Sequence, residues 1–121
     1  MIALAVMLAG GLGAVTRFVV DSLVQRHSRW SLPVGTVLIN VTGSFVLGVL
    51  TGLVLFHAAP GDVEAVAGTG FCGGYTTFST ASVEAARLLR TDRRWTAALH
   101  AAGMLLLSLA GAGLGLWITS W

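Results

Sequence analysis

The sequence predicts an all-α integral membrane protein with four transmembrane helices, the third broken at its centre. Three observations predict it. Apolar residues make up 55% of the 121 and charged residues only 10%, against about 25% charged in average soluble domains. Charges and helix breakers divide the chain into four apolar stretches, each long enough to cross a bilayer. The third stretch has a centre too rich in glycine and hydroxyls for a plain helix. Disorder is excluded by the apolar content, and the length predicts one domain over residues 1–121.

The first stretch, 2–24, has no positively charged segment ahead of its apolar run. It reads as a retained span and not a signal peptide. The others cover 34–56, 63–89 and 95–118. Each holds 23 to 27 residues, roughly 34–40 Å of helix at 1.5 Å per residue, which exceeds a hydrocarbon core of about 30 Å. The connections QRHSRWSLP, HAAPGD and RTDRR are short, so neighbouring spans run antiparallel. Trp30 and Trp95 fall at span ends on one side, Trp117 and Trp121 on the other, as interfacial aromatics do.

The third stretch reads Gly68-Thr-Gly-Phe-Cys-Gly-Gly-Tyr-Thr-Thr-Phe-Ser-Thr80, with four Gly and five Ser or Thr in thirteen residues. Glycine costs about 1 kcal/mol against alanine inside a helix, and Gly73-Gly74 marks the expected break. Irregular backbone at membrane depth is tolerated only inside protein or beside a wet cavity. Freed carbonyls next to a new helix start are the membrane form of a helix-terminus ion site, with Thr76, Thr77, Ser79 and Thr80 supplying oxygens. A glycine-rich kink with no ligand is the alternative.

The second span carries Thr36, Asn40 and Ser44 on one helical face, which reads as a lined conduit or as polar glue between helices. Gly48 with Gly52, and Gly111 with Gly115, read as close helix packing. His100, Met104 and Ser108 share one face of the fourth span, where a lone histidine reads first as packing. His57 reads as solvated. Arg17 and Asp21, four apart, are either an anchoring ion pair or part of a vestibule. Glu84 lies about two turns beyond the break, and an intramembrane carboxylate points to function.

The exclusions are broad. The net charge is +2, from seven Arg and five acids, with none of the clustered basic face that nucleic acid requires. Cys72 has no partner for a disulfide or a metal site. No catalytic set or nucleotide loop is present. A narrow path lined by hydroxyls and amides suits a small ion, of either sign.

The motifs GGLGAVTRF (Gly10–Phe18), PVGTVLINVTGSFVLGVL (Pro33–Leu50) and GTGFCGGYTTFST (Gly68–Thr80) resemble those of the Fluc (CrcB) fluoride channels, in order and over all four spans. The resemblance implies a passive fluoride channel in the cell membrane, exporting the ion to limit its toxicity. It implies two subunits inserted antiparallel, two pores between them, and a structural sodium ion at the dimer centre held by carbonyls of Gly73 and Thr76. It places the pore on Asn40, Phe78, Ser79, Thr80 and Ser108, and the vestibule on Glu84 and Arg17. Fluoride would pass aromatic ring edges, the positive rim of the ring quadrupole. Two positions depart from the family: Ala81 stands where a second Phe is usual, and Met104 is apolar within the fourth-span polar series.

Alternation of spans puts the 25–33 and 87–94 loops on one side. Both termini and the 57–62 loop fall on the other. The first side carries Arg26, Arg29, Arg87, Arg90, Arg93 and Arg94; the second carries no Arg or Lys. Basic loops stay cytoplasmic, so both termini are expected outside. A fixed orientation implies a homologous partner chain inserted the other way, a heterodimer; the alternative is an antiparallel homodimer despite the bias. Other classes compatible with the length are a small multidrug or cation exchanger, which needs a titratable carboxylate deep in a span, and a non-conducting structural subunit.

Overall fold

The computed structural model describes residues 1–30 and 32–121; residue 31, in the loop expected over 25–33, lies outside the described residues. The order is α1 (Ile2–His27), α2 (Val34–His57), α3 (61–75), α4 (Ser79–Arg90) and α5 (Arg94–Thr119). Helices α1, α2 and α5 are each long and apolar enough to cross a membrane. The third expected span is α3 and α4, jointed at 76–78. Observed ends fall close to expected ones because breakers set them: α2 follows Pro33 and stops at Ala58, which turns left-handed at φ 52°.

The helices pack as two close pairs, α5 along α2 and α3 along α1. The small-residue stripes of α2 and α5 do meet. A Cβ on Gly48 would collide with the Ala112 carbonyl, and one on Gly115 with the Phe45 carbonyl. Lipid offers no hydrophobic drive between helices, so such close backbone approach supplies the packing energy. Gly48→Val is therefore expected to push α5 away from α2. Overpacking of this kind costs about 1–3 kcal/mol, read as a lower melting temperature in detergent.

The exposed area is 7898 Å², against roughly 6200 Å² for a soluble monomer of this mass. Among the described residues the buried apolar set is only Ile39, Cys72, Ala81, Leu88 and Ala97. Leu8, Phe18, Leu99 and Leu106 face outward, so lipid or a second chain must cover them.

The break is not at Gly73-Gly74. Gly73 is helical at φ −63°, ψ −38°, and the chain first turns extended at Thr76, φ −75°, ψ 160°. These glycines serve packing instead: a Cβ on Gly74 would strike the Gly10 carbonyl of α1. Ahead of them, Glu64–Cys72 winds as a wide π-helix, a form that recurs at functional sites.

A candidate ion path at the helix break

Asn40 holds the break open. Its Oδ1 accepts the Thr77 N–H at 2.9 Å and its Nδ2 donates to the Thr77 carbonyl at 3.0 Å. Both residues are 9% exposed. The amide replaces the helical bonds that Thr77 would otherwise make, which is why the chain leaves the helix there. Nδ2 also points at Met104 Sδ, 3.3 Å away. A thioether is a weak acceptor, so this donor hydrogen is loosely held.

Below the break the Thr77 hydroxyl starts α4. Its Oγ1 accepts the Thr80 N–H at 3.2 Å and meets Thr80 Oγ1 at 3.1 Å and Ser79 Oγ at 3.4 Å. Thr76 spends its hydroxyl on the Cys72 carbonyl at 2.8 Å. The hydroxyl track anticipated along 76–80 thus centres on Thr77.

Asn40, Gly73, Thr76, Phe78 and Ser108 come together along one open groove of about 710 Å³, with Ala81 and Met104 in its wall. Ser108 Oγ is buried there with no partner among the described residues. Phe78 is 87% exposed. Ser79 lies outside this groove, and Thr80 lines a neighbouring one with Arg17, Asp21 and Thr36. Glu84 opens instead into a cavity of about 440 Å³ near the 25–33 loop, shared with Asp21 and Arg87.

Three local expectations change. Arg17 does not pair with Asp21; its guanidinium donates to the Thr76 carbonyl at 3.4 Å, while Asp21 accepts from Gln25 at 2.8 Å. His57 is not merely solvated: its Nε2 bonds the Thr119 carbonyl at 2.8 Å and ties the ends of α2 and α5. Thr36 gives its hydroxyl to Glu84 Oε1 at 2.7 Å, and His100 Nε2 approaches Glu84 Oε2 at 3.6 Å. Shared helical faces were the only sequence signal for these last contacts, which join residues far apart in the chain.

For a cation, the useful groups are carbonyls. No backbone N–H among the described residues bonds the Gly73, Gly74 or Tyr75 carbonyl, and the space beside Gly73 is open to 4 Å. These carbonyls are uncharged oxygen donors of the kind a hard cation takes.

Residues 4–116 match the family described as CrcB-like protein, Camphor Resistance (CrcB). The chain is 53% identical over 118 residues to the fluoride-specific ion channel FluC 1 of Leifsonia xyli subsp. xyli, covering 98% of this chain and 86% of that one. It is 50% identical to FluC 2 of Cutibacterium acnes, over 95% and 94% of the two chains. The FluC of Thermococcus onnurineus is 39% identical over 90% and 88%. All three relatives carry the name of a fluoride-specific ion channel, and none that of an enzyme.

Proposed function

The chain belongs to the CrcB-like family of membrane proteins, and from that premise we propose that it forms a passive fluoride channel exporting fluoride from the cytoplasm. The observation that carries the reading is the groove at the break. It gathers an amide donor, a buried hydroxyl without a partner and an exposed aromatic ring. A small, strongly hydrated anion gives up water only where donors replace it. Asn40 Nδ2, resting on a thioether, and Ser108 Oγ, without a partner among the described residues, are such donors. The Phe78 ring edge adds a positive rim. Nothing in the site stores energy or reacts, so transport runs down the gradient.

The groove is one wall of a path. Phe78 projects from it and the Gly73, Gly74 and Tyr75 carbonyls have no backbone donor among the described residues, which favours a second subunit, antiparallel in this reading, as the opposite wall. Fluoride efflux from liposomes, followed with an ion-selective electrode, tests the reading. Efflux above protein-free vesicles is expected. None in any subunit combination would overturn it.

In this reading the structural sodium ion expected at Gly73 and Thr76 would be held by the Gly73 carbonyl with those of Gly74 and Tyr75 beside it, since the Thr76 carbonyl accepts from Arg17 at 3.4 Å. The ion would supply no chemistry beyond tying the two subunits together. Uncharged oxygen ligands suit a hard cation over a transition metal. Gly73→Val, or sodium-free buffer, is expected to raise the monomer fraction. Association unchanged by both would remove sodium from the proposal.

A further inference from the structure

Asn40 reaches the groove as a donor whose direction is set by its other bonds. Its Oδ1 and one Nδ2 hydrogen are both committed to the Thr77 backbone, at 2.9 and 3.0 Å. The amide is planar and carries two N–H donors, so those two bonds also fix where the second hydrogen lies. Its acceptor is Met104 Sδ, 3.3 Å from Nδ2. Among the described residues Nδ2 bonds nothing beyond the Thr77 carbonyl and this sulfur. Asn40 is 9% exposed, and a donor buried to that degree needs an acceptor. The side chain at position 104 therefore decides how readily the donor serves an ion.

Met104 fills that place with a weak acceptor. The thioether satisfies the hydrogen in the empty groove and yields it at small cost. Its side chain is unbranched and adaptable, and the residue is half-buried in the groove wall, so the sulfur can withdraw without moving α5. A hydrogen bond to an anion is about twice as strong as one between neutral groups, so fluoride outcompetes the sulfur for the same hydrogen. One turn further along α5, Ser108 Oγ is buried without a partner among the described residues and stands as the next donor.

We infer that Met104 is a specificity-determining residue. Its thioether holds the Asn40 donor as an exchangeable placeholder, and the weakness of that bond sets the fluoride concentration at which the path fills. The inference rests on the channel reading above and gives a role to the apolar member of the His100, Met104, Ser108 face. The other oxygens at the break do not compete for the donor. The Thr76 carbonyl accepts from Arg17 at 3.4 Å, and Thr77 Oγ1 accepts the Thr80 N–H at 3.2 Å.

Two substitutions of similar size pull the donor in opposite directions. Met104→Leu removes the acceptor and leaves the hydrogen to the ion. Met104→Gln puts an amide carbonyl, a full-strength acceptor, within the same reach. Fluoride efflux is measured against fluoride concentration, in liposomes carrying the subunit combination that conducts. The half-saturating concentration is expected to fall about threefold in Met104→Leu and to rise about tenfold in Met104→Gln, the range that one neutral hydrogen bond spans. If Met104→Gln fails to assemble, the direction of change in Met104→Leu decides alone. The Asn40 side-chain amide, followed by NMR in detergent, gives a reading independent of transport. Sodium fluoride should move its proton resonance in the unsubstituted protein, and sodium chloride at the same concentration should move it less. Half-saturating concentrations that shift in the same direction, or that stay unchanged in both variants, would make Met104 a packing residue and overturn the inference. An Asn40 amide that fluoride does not move would overturn it too, even in a conducting channel. Absence of efflux from the unsubstituted chain in every combination would overturn the channel reading and this inference with it.

Discussion

Asn40→Ala is expected to lower fluoride efflux by roughly one and a half to four decades, the largest effect of any single substitution at the break. The estimate follows from what the amide holds. Removing it strips the partner from the Thr77 N–H and from the Thr77 carbonyl, at 2.9 and 3.0 Å. Both groups are buried and the break keeps other backbone partners away. Each buried group left without a partner costs about 1–3 kcal/mol, so the open geometry at 76–78 loses about 2–6 kcal/mol. At about 1.4 kcal/mol per tenfold, that range gives the decades above.

Two roles for Asn40 separate in the same experiment. As an ion donor alone, its loss would cut efflux and leave the melting temperature in place. As the clamp on Thr77, its loss lowers both. The two bonds to Thr77 favour the clamp, and the Nδ2 contact with Met104 at 3.3 Å leaves room for a donor role beside it. Phe78→Leu is the contrast. That ring is 87% exposed and braces nothing in its own chain, so efflux should fall without loss of stability. Asn40→Ala efflux within threefold of the unsubstituted channel would remove Asn40 from the path and from the break.

The spans were legible because lipid imposes a simple rule. Each crossing needs about 20 apolar residues, and Pro33, Pro60 and the charged loops mark where crossings stop. That a break exists was legible too, from glycine and hydroxyl density. Its position was not. Gly70, Gly73 and Gly74 look like breakers in sequence, yet Gly70 and Gly74 lie against the Val6 and Gly10 backbone of α1, which keeps that stretch helical. The residue that opens the chain, Asn40, is 37 positions from Thr77. No local pattern around 76–78 could announce it. The same distance problem hid Thr36 against Glu84, 48 positions apart, and His57 against Thr119, 62 apart. Helical spacing put Thr36, Asn40 and Ser44 on one face; only the packing of α2 against the jointed span says what that face holds. The family resemblance placed the pore on Asn40, Phe78, Ser79, Thr80 and Ser108; Asn40, Phe78 and Ser108 line one groove, and Ser79 and Thr80 lie outside it. It gave no warning that Arg17 would turn to the Thr76 carbonyl and leave Asp21 to Gln25.

Expressed alone, the chain is expected to insert in one orientation, with nearly all of its termini accessible from outside the cell. The helix order brings the end of α1, the start of α2, the end of α4 and the start of α5 to one face of the membrane. Arg26, Arg29, Arg87, Arg90, Arg93 and Arg94 sit there, and the opposite face has no Arg or Lys. Basic residues in short loops are retained in the cytoplasm, so the two orientations are far from equal. An antiparallel dimer built from one such chain would need half its copies inserted against that bias. A homologous partner with the opposite bias removes the conflict. Ala81 fits the same view: it is buried to 4% exposure in the groove wall and brings no ring there. A single cysteine placed at either terminus and treated with a membrane-impermeant thiol reagent reads the orientation, since Cys72 is only 2% exposed. Labelling from the outer side alone, with efflux appearing only when a partner chain is added, is the expected result. Equal labelling from both sides together with efflux from this chain by itself would establish a homodimer instead, with Ala81 tolerated in both pores.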